Sequence, residues 1–326
     1  MTTIEKILQL FENQQELTIK EIVHKLDVSN QMVHISIKRL LDQDKIEKFG
    51  RTPATFYRIK EQAKTPLFFT AISDETNKWL NKEFLLITDS GDIKQGIEAF
   101  DIWCRQRKLP VEKTLEEFRL TKEKYKVYYN REGIIDGMEK LVNTKGYDSI
   151  MLDKLFYIEF YAIERFGKTP LGTLLHYAKQ GQNKYLMKLM VQEIKDKIHN
   201  ILEKYNADAV CYAPPTIRRE VQIMKYLQQH LDINLPVAAV KKISGLIPVP
   251  QKSLSKLEER ISNAKKTFLV TETRKFKTIV IIDDAVGSGA TLNEIARKIK
   301  DRQLAETVIG IAVTGSFKGF DVITDV

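Results

Sequence analysis

The segment TIVIIDDAVGSGATLNEIARKIK, residues 278–300, constrains the fold of this chain more than any other stretch. It opens with the run IVII, which is short, continuous and β-branched, as is typical of a buried parallel strand. Apolar residues then recur at helical spacing over residues 292–299, which predicts a helix packed on a sheet. The acids Asp283 and Asp284 therefore lie at the carboxyl end of a strand, where open α/β sheets bind ligands.

The small residues after the acids predict an anion-binding turn. A glycine turn that opens into a helix presents backbone N–H groups and the positive end of a helix dipole, which suits a phosphate. The candidate binding residues of this turn are Ala285, Gly287, Ser288, Gly289, Ala290 and Thr291.

Other phosphate motifs fit this segment poorly. No Gly-Lys-Ser/Thr follows the glycines, so it is not a Walker A loop. Leu292 stands where a dinucleotide fingerprint has its third glycine, and the acids precede the glycines instead of following them. A phosphorelay receiver would place its acid pair early in the domain, whereas here only one certain strand follows.

Residues 206–326 alternate strand and helix patterns, which predicts a parallel α/β sheet. The predicted strands are ADAVCYAPP, LPVAAVKK, TIVIIDD and TVIGIAVTG, and a helix is predicted over TIRREVQIMKYLQQHL. Besides the acid pair, the strand ends that should meet at one edge carry basic residues, namely Arg218, Arg219, Lys241 and Lys242.

Residues 1–64 predict three short helices followed by a β-hairpin. Apolar stripes mark the helices, TIKE at residues 18–21 is a capping box, and Ser29 is a suitable N-cap for the third helix. The stretch KIEKFGRTPATFYRIK alternates, turns at residues 50–53 and alternates again.

Residues 66–205 predict a mainly helical segment that connects the other two parts, mediates oligomerisation or covers the site of the third part. A small hairpin is expected around residues 89–92, and helices over GIEAFDIWCRQRK, TLEEFRLTKEKYKVYY, LDKLFYIEFYAIERFG and the long pattern that starts at TLLHYAKQ. Gly167 is expected to cap the third of these. The aromatic residues of that pattern are expected in a core or a dimer seam rather than in a cofactor site.

Composition narrows the class of protein. The 326 residues carry a net charge of +9, which is compatible with a polyanionic partner and equally with an ordinary soluble protein. Cys104 and Cys211 form no disulfide or metal pattern, so reduced thiols in a cytoplasmic protein are expected. No signal peptide and no membrane span is predicted.

The first 64 residues resemble bacterial winged helix-turn-helix regulators, including the wing GRTPATFYRI. The resemblance implies that the third helix enters the major groove of DNA. Its contacts would be Asn30, Gln31, His34 and Lys38, with Arg51 at the wing tip. The first 64 residues include eleven Lys and Arg and nine Asp and Glu, so their net charge is weak for a DNA-binding domain. Winged helices also serve as protein-interaction modules.

The stretch IIDDAVGSGAT resembles the 5-phosphoribosyl-1-pyrophosphate (PRPP) loop of type I phosphoribosyltransferases. The resemblance implies that Asp283 and Asp284 are catalytic residues that bind the ribose hydroxyls, and that the turn holds the 5′-phosphate. It also implies pyrophosphate contacts from Thr216, Arg218 and Arg219, base stacking on Phe317, and Mg²⁺ held through the ligand, with no metal bound directly by the protein. These contacts describe a PRPP site at the end of the third strand.

The stretch QKSLSKLEERISNAKKTF, residues 251–268, resembles the mobile segment of ComF-type proteins. The expected fold class is thus α/β multidomain: a winged helix, a helical middle segment and a C-terminal parallel α/β sheet of the type I phosphoribosyltransferase type. The turn APPTIRRE is shorter and less basic than the ComF pattern, which leaves catalytic turnover open.

Two functions remain open at this point. One is a DNA-binding regulator, expected as a homodimer, whose phosphoribosyltransferase-like domain senses PRPP or a nucleotide; purine-operon repressors share that architecture. The other is an active Mg²⁺-dependent phosphoribosyltransferase that uses a base as acceptor. A third hypothesis, by association with ComF, is a role in DNA uptake or repair.

Overall fold

A computed structural model of the chain describes residues 2–14, 16–43, 45–51, 54–60, 72–144, 146–215, 217, 219–243, 254 and 257–317. The chain divides into two compact units, Met1–Ser73 and Asp74–Val326. The predicted boundary at residue 205 falls inside the second unit.

The first unit contains three helices and an antiparallel hairpin, in the predicted order. They are α1 (Thr3–Asn13), α2 (Ile19–Leu26), α3 (Asn30–Asp42), β1 (Ile46–Arg51) and β2 (Ala54–Ile59). Thr18 and Glu21 form the predicted capping box, and the Ser29 hydroxyl accepts a hydrogen bond from the N–H of Met32 at 3.3 Å. The inward faces of the helices meet in one core, which includes the fully buried Ile7, Ile22, Val33 and Leu40.

The first half of the second unit mixes helices with short strands. Its elements are α4 (Asp74–Glu83), β3 (Leu85–Ile87), β4 (Ile93–Gln95), α5 (Gly96–Gln106), α6 (Val111–Lys126), β5 (Ile135–Asp136), α7 (Met138–Asn143), β6 (Lys154–Phe160), β7 (Ala162–Ile163), β8 (Gly167–Lys168), α8 (Pro170–Gln180) and α9 (Lys184–Lys204). Strands β3 and β4 form the hairpin that was expected around residues 89–92.

The second half carries the alternating pattern. Its elements are β9 (Ala209–Tyr212), α10 (Ile223–His230), β10 (Val240–Lys242), α11 (Leu257–Thr267), β11 (Phe268–Val270), β12 (Phe276–Val286), α12 (Ala290–Asp301) and β13 (Ala305–Gly315). The strands over residues 209–212, 276–286 and 305–315 confirm three of the four predicted strands.

One five-stranded sheet organises the second unit. Its strand order is β5-β6-β13-β12-β9, and all neighbours are parallel except β5 and β6. Ile282 pairs with Ile311 on one side and Tyr212 on the other, so β12 lies inside the sheet. Strand β12 is buried on both faces, which explains its continuous apolar sequence.

The predicted helix over LDKLFYIEFYAIERFG is wrong, because most of this stretch is strand β6. Its aromatic residues Phe156, Tyr157, Phe160 and Tyr161 are buried in the core. A short apolar run cannot be assigned to a strand or a helix by periodicity alone, and this one is rich in aromatic residues, which suit strands. The middle part of the chain is therefore not purely helical and supplies two strands, β5 and β6, to the main sheet.

The break after this strand also differs from the expected helix cap. Gly167 has φ +76° and ends a 3-10 turn, Glu164–Phe166, instead of an α-helix. The pattern that starts at TLLHYAKQ is two helices, α8 and α9, separated at Gly181 and Gln182, where Gln182 adopts φ +50°.

The predicted second strand, LPVAAVKK, does not extend the main sheet as expected. Val237 makes one parallel bridge to Val210, and β10 then pairs antiparallel with β11 in a separate ribbon. Lys241 and Lys242 therefore lie on this ribbon and not at the carboxyl edge of the main sheet. The helix predicted from Thr216 begins only at Ile223.

Cys104 and Cys211 are both free and buried. None of the helices in the described ranges is long and apolar enough to cross a membrane.

Candidate functional site

The acid pair lies near the end of β12, as the sequence predicts. Asp283 pairs with Ala312 of β13, and the strand ends three residues later at Val286. Helix α12 begins at Ala290. Only a turn of three residues, 287–289, therefore separates the strand from the helix.

This turn requires glycine at Gly289. The residue has φ +84°, a left-handed conformation that side chains rarely adopt. A Cβ atom there would also lie 2.8 Å from Cδ1 of Leu141 on α7. The backbone angle therefore makes a side chain strained at this position, and the packing against α7 adds to the cost.

Side chains from the middle of the chain fix the orientation of the turn. Lys140 Nζ donates to the carbonyl of Gly287 at 3.0 Å, and Tyr147 Oη donates to the carbonyl of Ser288 at 2.7 Å. In a trans peptide the N–H points opposite to the carbonyl. The N–H groups of Ser288 and Gly289 therefore point away from Lys140 and Tyr147.

A cavity of about 310 Å³ opens beside the turn and the acids. It is lined by the segment between β9 and α10, the carboxyl end of β12, the start of α12, the end of α8, the start of α10 and one residue of α11. The predicted site residues that line it are Arg219, Asp283, Asp284, Ala285, Gly287, Ser288, Gly289, Ala290 and Thr291.

The two acids have different surroundings. Burial and the neighbouring Asp284 raise the pKa of Asp283 to about 7, while Lys179 partly opposes the shift. One oxygen of Asp283 accepts a hydrogen bond from the N–H of Asp284 at 2.8 Å. The side chain of Asp284, only 10% exposed, forms an ion pair with Lys179. The pair thus combines a carboxyl that gains a proton near neutral pH with a carboxylate held by an ammonium.

Of the three residues predicted to contact pyrophosphate, the structure describes only Arg219. Arg219 reaches the end of α8, where its guanidinium donates to the carbonyl of Lys179 and, at 3.0 Å, to Oε1 of Gln180. Thr216 and Arg218 lie outside the described residues.

Phe317 is not brought to the cavity. Its ring packs against Tyr125, Tyr128 and Phe160, with ring centroids 4.8, 5.1 and 5.4 Å away. Base stacking on Phe317 therefore stays a prediction that this arrangement does not favour.

Several residues of the site carry no signal in the sequence. Lys179, Lys140 and Tyr147 reach the acids or the turn from more than 100 positions away along the chain. Arg260 also lines the cavity, and it lies in the stretch that resembles the ComF mobile segment. Its Nε donates to the carbonyl of Leu254 at 2.8 Å.

A second cavity of about 810 Å³ lies elsewhere in the same unit. Its lining includes Glu159 on β6, whose pKa is raised by burial. That carboxyl already accepts a hydrogen bond from the N–H of Leu171 at 3.0 Å, in the first turn of α8. The smaller cavity is the better candidate because it brings an acid pair and a glycine turn together.

The predicted DNA contacts lie in the first unit. Asn30, Gln31, His34 and Lys38 are exposed on α3, opposite its buried face. Met32 and Ile35, which are 48% and 45% exposed, lie among them. Arg51 is the last residue of β1.

A protein-family model matches the segment of the chain that contains the acid pair. The family model described as "Phosphoribosyl transferase domain" matches residues 185–316. No curated protein matches the chain.

One solved structure is a hypoxanthine phosphoribosyltransferase from Staphylococcus aureus. It shares 14% identity, with 41% of this chain and 79% of that chain covered, at a TM-score of 0.26. A TM-score this low is no basis for comparing the folds. The family match covers the acid pair, the turn and strands β9, β12 and β13, so the chain contains a phosphoribosyl transferase domain at residues 185–316.

Proposed function

We propose that the chain binds PRPP in the smaller cavity and transfers its phosphoribosyl group to a nucleophile such as a nucleobase. The observation that carries this proposal is the joint lining of one cavity by Asp283, Asp284 and the turn at residues 287–291. Carboxylates accept hydrogen bonds from ribose hydroxyls, and N–H groups at a helix N-terminus bind phosphate.

The arrangement assigns a task to each part. The turn and the start of α12 hold the 5′-phosphate, which fixes the ribose relative to the acids. The acids hold the two ribose hydroxyls and place negative charge beside a ring that becomes cationic as pyrophosphate leaves. Asp283, with a pKa of about 7, is also suited to accept a proton from the attacking nucleophile.

Mg²⁺ is expected to arrive with the ligand. No three Asp, Glu, His or Cys side chains are grouped as a metal site within the described ranges. Asp284 is already paired with Lys179, and Mg²⁺ requires octahedral oxygen coordination. We propose that the phosphate oxygens of PRPP supply most of the Mg²⁺ ligands.

The proposal is tested by a binding and turnover experiment on the full chain. PRPP with Mg²⁺ is titrated by calorimetry, and released pyrophosphate is followed with and without a panel of nucleobases. We expect the double variant Asp283→Asn, Asp284→Asn to lose affinity for PRPP by roughly 100-fold or more, because two charge-assisted contacts are removed.

Asp196→Asn is the matched control, since Asp196 is exposed on α9 and lines neither cavity. Unchanged affinity in the double variant would overturn the site assignment. Pyrophosphate release with one particular base identifies an enzyme, whereas PRPP held intact across the panel identifies a sensor.

A second candidate function is a DNA-binding regulator that senses PRPP. It is supported by the first unit, whose three helices and hairpin have the element order of a winged helix. Asn30 and Gln31, exposed at the start of α3, are suited to adenine edges. In this proposal the chain acts as a homodimer, because paired half-sites on DNA match a two-fold protein. A protein-interaction role for the same unit is the alternative.

A further inference from the structure

Lys179 lies outside the segment that the family model matches, yet it lines the cavity and contacts the acid pair. It is the penultimate residue of α8, and its ammonium forms an ion pair with Oδ2 of Asp284. The Lys179 side chain is 29% exposed and lines the cavity beside the acids. It is therefore both bound to the site and accessible to a ligand.

The other cations that line the cavity, among the residues described, have different partners. The Arg219 guanidinium is held by the carbonyl of Lys179 and by Gln180. Arg260 donates its Nε to the carbonyl of Leu254. Lys179 is thus the cavity cation that contacts the acid pair directly.

The cavity has to accept a strongly anionic ligand beside two carboxyl groups. Two adjacent acids repel a pyrophosphate, and a cation between acids and ligand offsets that repulsion. A lysine suits this position because its ammonium is a compact charge on a flexible stem. Ribose hydroxyls that took the place of the ammonium at Asp284 would release Lys179 next to the newly bound ligand.

We infer that Lys179 binds the pyrophosphate group of PRPP, exchanging Asp284 for the ligand when PRPP enters. This inference rests on the proposed function and deepens it, because it supplies a pyrophosphate contact from α8, upstream of the matched domain. Before PRPP binds, the same ammonium keeps the buried Asp284 paired.

The test compares two ligands on the full chain. PRPP and ribose 5-phosphate share the ribose hydroxyls and the 5′-phosphate, but only PRPP carries pyrophosphate. Lys179→Gln keeps an N–H donor for Asp284 and removes the charge, so the fold should be retained. We expect this variant to bind PRPP about tenfold or more weakly, and ribose 5-phosphate with nearly unchanged affinity.

Two further variants complete the test. Lys179→Arg restores a cation and should recover most of the PRPP affinity. Lys188→Gln removes the same charge from an exposed position on α9 and should change the affinity for neither ligand.

Each alternative outcome has a distinct meaning. An equal loss for both ligands would make Lys179 a partner of Asp284 only, and no loss for either would remove it from the site. If the unmodified chain fails to bind PRPP while it remains folded, the proposed function itself fails, and this inference falls with it.

Discussion

Asp283 and Asp284 are neighbours in sequence but differ in chemistry because their surroundings differ. Asp284 is buried and faces the ammonium of Lys179, whereas Asp283 is partly exposed, lines the cavity and lies next to a second acid. Opposite environments for two titratable groups are typical of sites that hold and move protons.

The raised pKa of Asp283 has a consequence for stability. An aspartate in the unfolded chain has a pKa of about 3.9, and in the folded chain Asp283 has a pKa of about 7. Between these values the folded state holds a proton that the unfolded state has lost. The stabilisation from the neutral acid is therefore present below pH 4 and is lost as the pH rises towards 7.

We therefore expect the free energy of unfolding to fall less between pH 5 and pH 8 in Asp283→Asn than in the unmodified chain, because the amide cannot lose a proton. Urea unfolding followed by tryptophan fluorescence measures this, since the chain's two tryptophans, Trp79 and Trp103, both belong to the second unit. Asp196→Asn serves again as the control. An equally steep fall in Asp283→Asn would assign the pH dependence to other groups.

At this scale the sequence predicts only part of the site. The acids and the turn are contiguous, and a strand, two acids and small residues in one stretch have few other interpretations. Lys179, Lys140 and Tyr147 could not be predicted, because they reach the site through contacts between distant parts of the chain that no local pattern encodes.

At the scale of elements, the sequence predicts correctly those helix caps and strands that depend only on neighbouring residues. The capping box at Thr18 and the buried strand at residues 279–282 are set by neighbouring residues, and both form as expected. The sequence does not predict strand β6, because its partner, β13, lies about 150 residues further along the chain. Apolar residues that pair at such a distance leave no periodicity to distinguish strand from helix.

The position of β6 inside the sheet can be tested by one substitution. Leu155 is fully buried on β6, and its Cδ1 lies against Gly310 of β13. We expect Leu155→Ala to lower the free energy of unfolding of the second unit by about 2–5 kcal/mol, as for other buried leucines.

Leu120→Ala is the matched control for this change, because Leu120 is 65% exposed on α6. Its truncation should change the free energy of unfolding only slightly. Both variants are followed by urea unfolding with tryptophan fluorescence. If Leu155→Ala lowered the free energy of unfolding as little as Leu120→Ala does, the position of β6 in the core would be contradicted.

At the scale of the whole molecule, two compact units carry two different candidate chemistries. The second unit contains the phosphoribosyl transferase domain, and the first exposes Asn30 and Gln31 on a helix. An enzyme and a regulator share the ligand site in these proposals, so ligand binding alone does not separate them. Coupling between PRPP binding and DNA binding does separate the two functions, because only a regulator requires PRPP to change the affinity for DNA.

We expect the full chain to bind a duplex selected from a random pool, and PRPP with Mg²⁺ to change that affinity by roughly 5–150-fold, the usual range of coupling between two sites. A ligand shifts an equilibrium only by its differential affinity for the two states. Fluorescence anisotropy of the labelled duplex, with and without PRPP, measures the change. The double variant Asn30→Ala, Gln31→Ala should lose DNA binding, and Gln9→Ala, an exposed amide on α1, should keep it.

The variant Asp283→Asn, Asp284→Asn then isolates the coupling, because it should bind DNA normally and no longer respond to PRPP. A DNA affinity that is the same with and without PRPP in the unmodified chain would rule out the regulator as proposed and leave the transferase. Failure to select any duplex would remove DNA as the partner of the first unit and favour its protein-interaction role.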